Sequence, residues 1–205
     1  MFFETAHGMR PAPLIHNPFN ALVCPRPIGW ISTVDSSGAH NLAPFSYFNA
    51  VSSDPPYVVF APNSPNANRT KDTYRNVNEV PEFVANFVSV ADAEAMNASS
   101  KDYPHGVDEF AACGIAAAPS RLVRPQRVAI AKAALECRVF QIVNLPKTPD
   151  GRQNNVVIGE VVGIHVADDV IVDGRVDEAL LAPLSRLGYM NYGVLGRIFA
   201  MDRPA

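Results

Sequence analysis

Apolar and polar positions alternate in short runs along this chain, and glycine, proline and aspartate cut the runs apart. Ile28, Trp30, Ile31 and Val34 form one run, and Leu42, Ala43 and Phe45 the next. Asp35-Ser36-Ser37-Gly38 between them is a turn signal, so the two runs are expected to form a hairpin. Residues 46–53 mix aromatics with small hydrogen-bonding side chains and read as a loop ending at Asp54-Pro55-Pro56. Residues 57–61 read as a buried strand stopped by Pro62. A helix is expected over 70–80, with Thr70 as its cap, Thr73 at the third helical position and Pro81 at its end. Residues 83–90 read as a strand, and 92–98 and 107–113 as short helices. Leu135, Cys137 and Val139 oppose Glu136 and Arg138, the alternation of a half-buried antiparallel strand over 135–145. After a turn at 146–151, a valine- and isoleucine-rich strand spans 156–166. It carries Gly159 and Gly163, which mark a bulge, a barrel bend or a ligand close to the backbone. A small β turn is expected at 171–174, and 176–187 reads as a helix broken by Pro183.

The pattern amounts to at least six strands, mostly antiparallel, with a few inserted helices. No regular βαβ alternation appears, so a mainly β fold is expected: an antiparallel barrel, closed or split, rather than a doubly wound sheet. The 18 prolines in 205 residues, against an average of about 5%, suit many short segments. The length fits a single domain over 1–205, with its core at about 17–195. Charged residues make up 18%, below the roughly 25% usual for soluble domains. Surface hidden in a dimer accounts for this, and so does a high alanine content.

Net charge is −3 with scattered basic residues, which points away from nucleic acid and anionic membranes. No apolar run approaches the ~18 residues of a membrane span, and the first residues lack a signal-peptide pattern. A cytoplasmic location is the expectation. Cys24, Cys113 and Cys137 are odd in number and far apart, which suits a reducing compartment and buried thiols. The chain carries no GxGxxG, no GxxxxGK[ST], no HExxH and no GxSxG. Its five histidines are not spaced as a metal cluster, and no metal site is expected.

The chemistry lies in residues 46–53, before Asp54-Pro55-Pro56. Ring faces and methyls there alternate with hydroxyls, amides and backbone N–H groups, the mixture that a flat aromatic ligand with a polar rim requires. RPIGWIST, the NLAPFSYFN segment before SSDPP, and KDT with Asn76 behind it at a helix start together resemble the flavin reductase-like family. Ser100-Lys101-Asp102 with Phe110, and Gly159-Glu160-Val161-Val162, extend the resemblance to most of the chain. It implies an antiparallel Greek-key FMN-binding split barrel, assembled as a homodimer with flavin near the subunit interface. The implied activity is NAD(P)H-dependent flavin reduction using FMN in preference to FAD, NADH or NADPH as donor, and a monooxygenase, ferric iron or another acceptor. The alternative is an FMN-binding electron carrier without nicotinamide activity.

By similarity, phosphate binding falls to Thr73, then to Lys71 and Asn76, at a helix start where free N–H groups and the dipole favour an anion. Arg69 and Arg75 add cations there. Ala43, Pro44, Phe45, Ser46, Tyr47, Phe48 and Asn49 are expected to present backbone groups to the isoalloxazine, with Asn41 near the ring or ribityl chain. Tyr47 or Phe48 covers a ring face, or the aromatics pack as core. Strand alternation sends Phe45 and Tyr47 to one side and Phe48 to the other. Ser52 and Ser53 either reach the flavin edge or shape the turn. Lys101 faces the phosphate or pyrimidine end, or is a solvated lysine. Asn154 is the polar candidate before the glycine-bearing strand. His165 reads as a structural histidine ahead of a nicotinamide contact, and Arg186, Tyr189 and Tyr192 either close the pocket or pack. No side chain is assigned general acid–base work, because the cofactor carries the hydride chemistry.

Overall fold

Strand β1 (Gly29–Val34) is buried at every residue, which a half-buried hairpin strand would not be. Ile31 enters an apolar cluster with Phe45, Phe60, Phe83 and Cys137. Trp30 enters a second one with Leu42, Met96, Phe110 and Val128. Successive strand side chains leave opposite faces, so β1 is the wall between two cores.

A computed structural model describes residues 1–5, 10–64 and 70–204; Arg69 lies outside them. The main sheet has 7 strands. After β1 come β2 (His40–Phe45), β3 (Phe48–Ser53), β4 (Pro56–Phe60), β5 (Glu82–Asn86), β6 (Ala133–Asn144) and β7 (Asn155–Val166). They pair antiparallel throughout, in the order β2-β1-β5-β6-β7-β4-β3. Strands β2 and β3 are therefore opposite edges of the sheet, yet only Ser46 and Tyr47 separate them in sequence. No strand pairing joins these two edges among the described residues, so the sheet is an open, split barrel. Its helices are α1 (Asp72–Glu79), α2 (Ala93–Ala98), α3 (Glu109–Ala112) and two single turns, Phe19–Leu22 and Glu178–Leu181. No helix among the described residues is long and apolar enough to cross a membrane.

Several local expectations are revised. Residues 48–53, read as loop, form edge strand β3, because cross-strand bonds to β4 compensate for its polar composition. Strand β5 ends at Asn86, where the chain turns toward a 3-10 turn at Val90–Asp92. Residues 176–187 are not one helix. Asp177 caps a single turn, Glu178–Leu181, by accepting from Ala179 and Leu180 N. Ala182 then takes a left-handed φ of 48°, and Leu184–Arg186 pairs as a strand with Arg26–Pro27. Thr70 does not cap α1, whose N-cap is Lys71. Of the thiols only Cys137 is buried, Cys24 being exposed; burial pushes the Cys137 thiol far up from its usual range. Phe45 and Phe48 both meet the inner core while Tyr47 is exposed, because the chain bends at Ser46–Tyr47 and interrupts the alternation.

The glycine-bearing strand is bulged as its sequence suggests. Register shifts occur between Ile158 and Gly159 and between Val161 and Gly163. A Cβ on Gly159 would lie 2.4 Å from the Phe83 ring, which is itself fully buried. Gly159→Val is therefore expected to cost about 1–3 kcal/mol by overpacking, lowering Tm by about 5 °C in calorimetry. An unchanged Tm would show that the Phe83 ring moves aside freely.

Far from the seam, the buried Glu136 carboxylate accepts from Arg121 N at 2.7 Å, Leu122 N at 2.6 Å and His165 Nε2 at 2.5 Å. These bonds pin the segment that follows the strand at Ala117–Ala118 onto the barrel. His165 is thus a structural partner of Glu136.

Candidate functional site

Three stretches distant in sequence converge on the seam. Strand β2 and the Ser46–Tyr47 crossing supply one wall of a cleft of about 230 Å³, through Asn41, Ala43, Pro44, Phe45, Ser46 and Tyr47. The start of α1 supplies Lys71, Asp72 and Thr73. The segment after α2 supplies residues 99–103, including Lys101 and Tyr103, and Ala61, Asn63 and Glu109 complete the lining.

The polar groups of this cleft are ordered. Thr73 Oγ1 donates to Asn41 Oδ1 at 2.7 Å, and Asn41 Nδ2 donates to Glu109 Oε2 at 2.8 Å. Leu42 N donates to the same carboxylate oxygen at 2.8 Å. Behind them, Asn76 Nδ2 donates to Thr33 Oγ1 at 3.1 Å, and Thr33 approaches Asn41 Oδ1 at 3.4 Å. Burial raises the Glu109 carboxyl above its usual range, against the lowering effect of the bonds from Leu42 and Asn41, and Asp72 adds repulsion.

Among the described residues no side chain caps the start of helix α1, and the extended backbone of Lys71 precedes it. The first intrahelical bonds are those of Tyr74 and Arg75 N to Lys71 O. The amides of Asp72 and Thr73 therefore lack helical acceptors, at the end that lines the cleft. The Asp72 carboxylate accepts from Gly106 N at 3.2 Å and lies 2.8 Å from His105 Nδ1 and 3.7 Å from Arg75. Asn63, also in the lining, has a buried Oδ1 with no hydrogen-bond partner among the described residues. It is an acceptor waiting for a ligand N–H or O–H. Lys101 Nζ stands 5.4 Å over the Tyr103 ring. The Tyr103 hydroxyl lies 3.4 Å from Cys113 Sγ, a bond that raises the phenol above its ordinary range.

Arg26 holds the outer rim. Its buried guanidinium donates to the carbonyls of Asn20 at 2.7 Å, Val23 at 2.6 Å and Leu187 at 3.0 Å. It also lies 5.8 Å from the centre of the Tyr47 ring, and the Tyr47 hydroxyl donates to Asn20 Oδ1 at 2.8 Å.

The remaining expected residues lie elsewhere. Asn76 is buried one turn behind Thr73 and serves the network. Phe48 fills the space beside Gly29, where a Cβ would come within 2.6 Å of its ring. Asn49, Ser52 and Ser53 are exposed on edge strand β3, outside the lining. Asn154 sits just before β7, also outside it, its carbonyl accepting from Leu145 N. Arg186 and Tyr192 line an adjoining cleft of about 280 Å³ that shares Pro44, Ser46 and Ser100 with the first. Tyr189 lies beyond it, edge-on to His16. Sequence reasoning missed Asn63 and Glu109. Neither belongs to a local motif, and only the folded seam brings them to residues 41–47.

Comparison with known proteins is consistent along most of the chain. The family model for the flavin reductase like domain matches residues 21–190. An uncharacterised protein of Deinococcus radiodurans is 40% identical over 175 residues, covering 82% of this chain and 74% of that one. Nitrilotriacetate monooxygenase component B from Bacillus cereus is 30% identical and superposes with a TM-score of 0.84, over 94% of this chain and 100% of its own. The 2-nitrobenzoate 2-nitroreductase NbaA of Pseudomonas fluorescens is 31% identical with a TM-score of 0.79, over 91% and 88%.

Proposed function

The chain belongs to the flavin reductase-like family, and from that premise we propose that it binds FMN in the seam cleft and passes hydride from NADH or NADPH to it, for delivery to a further acceptor. The observation that carries the reading is the uncapped start of α1 facing the same cleft as the edge of β2 and the orphaned Asn63 acceptor. That donor set fits a phosphorylated ring with an N–H on its far rim.

In this reading the α1 amides and Lys71 take the phosphate, where backbone N–H groups and the helix dipole both favour an anion. One side of β2 has no neighbouring strand, so its outward backbone groups serve the ring edge. Asn63 accepts from a ring or ribityl donor, and Lys101 supplies positive potential that favours an anionic reduced ring. Bound FMN supplies the hydride-accepting atom, and the protein's contribution is placement and electrostatics. Arg186 and Tyr192, 4.6 Å apart as a cation–π pair, border the open side, where a nicotinamide has room to stack. Delivery to a monooxygenase partner is favoured by the 30% likeness to a monooxygenase component B. A homodimer is part of the same proposal, supported by Phe140 and Ile164, each 64% exposed on the two long strands.

The test is a titration of the pure protein with FMN, followed by NADH and NADPH oxidation. Quenched flavin fluorescence and steady oxidation of either nucleotide are expected. Binding without nucleotide oxidation would make the protein an electron carrier, and absence of both would overturn the reading.

A further inference from the structure

The polar groups behind the cleft point their protons in one direction. Thr73 donates to Asn41, and Asn41 donates to Glu109. With its proton committed to Asn41, Thr73 meets the cleft with lone pairs only, as an acceptor. That suits a hydroxyl or N–H on a ligand and opposes a phosphate oxygen. We propose that Glu109 is a positioning residue whose protonation reverses the Asn41 amide and so converts Thr73 from acceptor to donor toward the anionic end of a bound flavin.

The geometry permits two arrangements. With Glu109 ionised, Asn41 Nδ2 must face the carboxylate, as observed. With Glu109 protonated, its hydroxyl donates to Asn41 Oδ1 after a half-turn of the amide. Asn41 Nδ2 then donates to Thr73 Oγ1, and the Thr73 hydroxyl is released toward the cleft. The half-turn costs little on the far side, because the Thr33 contact is long at 3.4 Å. Leu42 N keeps a carboxyl oxygen as acceptor in both arrangements. The charged and titratable groups around Glu109 are Lys71 and Asp72 from α1, and Lys101, Asp102 and Tyr103 from the segment after α2. Asp108 precedes it in sequence, and His40 lies on β2 against the Phe110 ring. Burial and the nearby Asp72 both raise the carboxyl, which brings protonation nearer to neutral pH.

The inference rests on the flavin reading, and its experiment separates the two. FMN affinity is measured by fluorescence quenching from pH 8 to pH 5.5 in the wild type, Glu109→Gln and Thr73→Val. Because the titration of the FMN phosphate itself is common to all three, the ratio between proteins isolates Glu109. The glutamine keeps an oxygen for Leu42 N and carries no titratable proton, so whichever arrangement Asn41 and Thr73 adopt beside it is the same at every pH. The wild type is expected to gain at least threefold in affinity over Glu109→Gln as pH falls, and the gain is expected to vanish in Thr73→Val. Infrared difference spectra should show a carboxylic acid band on FMN binding that Glu109→Gln lacks. Parallel pH profiles for wild type and Glu109→Gln, with no such band, would overturn the inference and leave flavin binding intact. Failure of the wild type to bind FMN at any pH would overturn the flavin reading, and this inference with it.

Discussion

Glu136→Leu is expected to lower stability by about 3–5 kcal/mol, the cost of breaking a buried charged cluster by removing one partner. For a chain of this size that is a fall in Tm on the order of 10 °C, measured by thermal unfolding at neutral pH. The side chain is fully buried and accepts from two backbone amides and His165. Leucine fills a similar volume but leaves all three donors without an acceptor. The pH dependence has a definite sign. Burial pushes the Glu136 carboxyl up, but the bonds from His165, Arg121 and Leu122 together outweigh it, and the net shift is downward from 4.5. Its contribution is therefore present above about pH 4.5 and is lost as pH falls through the lowered folded value. The gap between wild type and Glu136→Leu should close in acid. A gap that stays constant down to pH 3 would show that the loss is one of packing and not of charge.

The paired substitution Lys71→Ala with Thr73→Ala is expected to weaken FMN binding at least tenfold. Each hydrogen bond to a charged group contributes about 1.5–3 kcal/mol, and about 1.4 kcal/mol already corresponds to tenfold. Lys71 should carry the greater share at high pH, where Thr73 has its proton committed to Asn41. Riboflavin, which lacks the phosphate, serves as the control and should lose far less. Equal losses for FMN and riboflavin would remove the start of α1 from the phosphate role.

How much was legible depended on where each signal lay. The first hairpin and the two long strands were readable because alternation, a polar turn and runs of branched residues sit within a few positions of one another. The expected strands at 135–145 and 156–166 lie within two residues of β6 and β7 at every end. Strand β3 was not readable, since Asn49, Ser52 and Ser53 carry no apolar stripe and only pairing with β4 makes them a strand. Residues 176–187 misled because their composition favours helix, while a left-handed Ala182 and pairing to Arg26–Pro27 decide otherwise. In the cleft, residues 41–47 and 71–73 had local signals. The role of Glu109 had none, because a buried carboxylate on a four-residue helix acquires its partners only when α3 packs against β2.

Strand β3 also has a bearing on solution behaviour. It is the other free edge of the rolled sheet, almost wholly exposed, and such an edge invites growth by addition of further chains. Its pairing skips Val51 between Ala50 and Ser52, and this one extra residue spoils the flat register a docking strand needs. An incoming segment can match the amides on one side of Val51 or the other, but not both. Removing Val51 would straighten this rim, and the expected consequence is slow filament formation in concentrated samples that the wild-type chain resists.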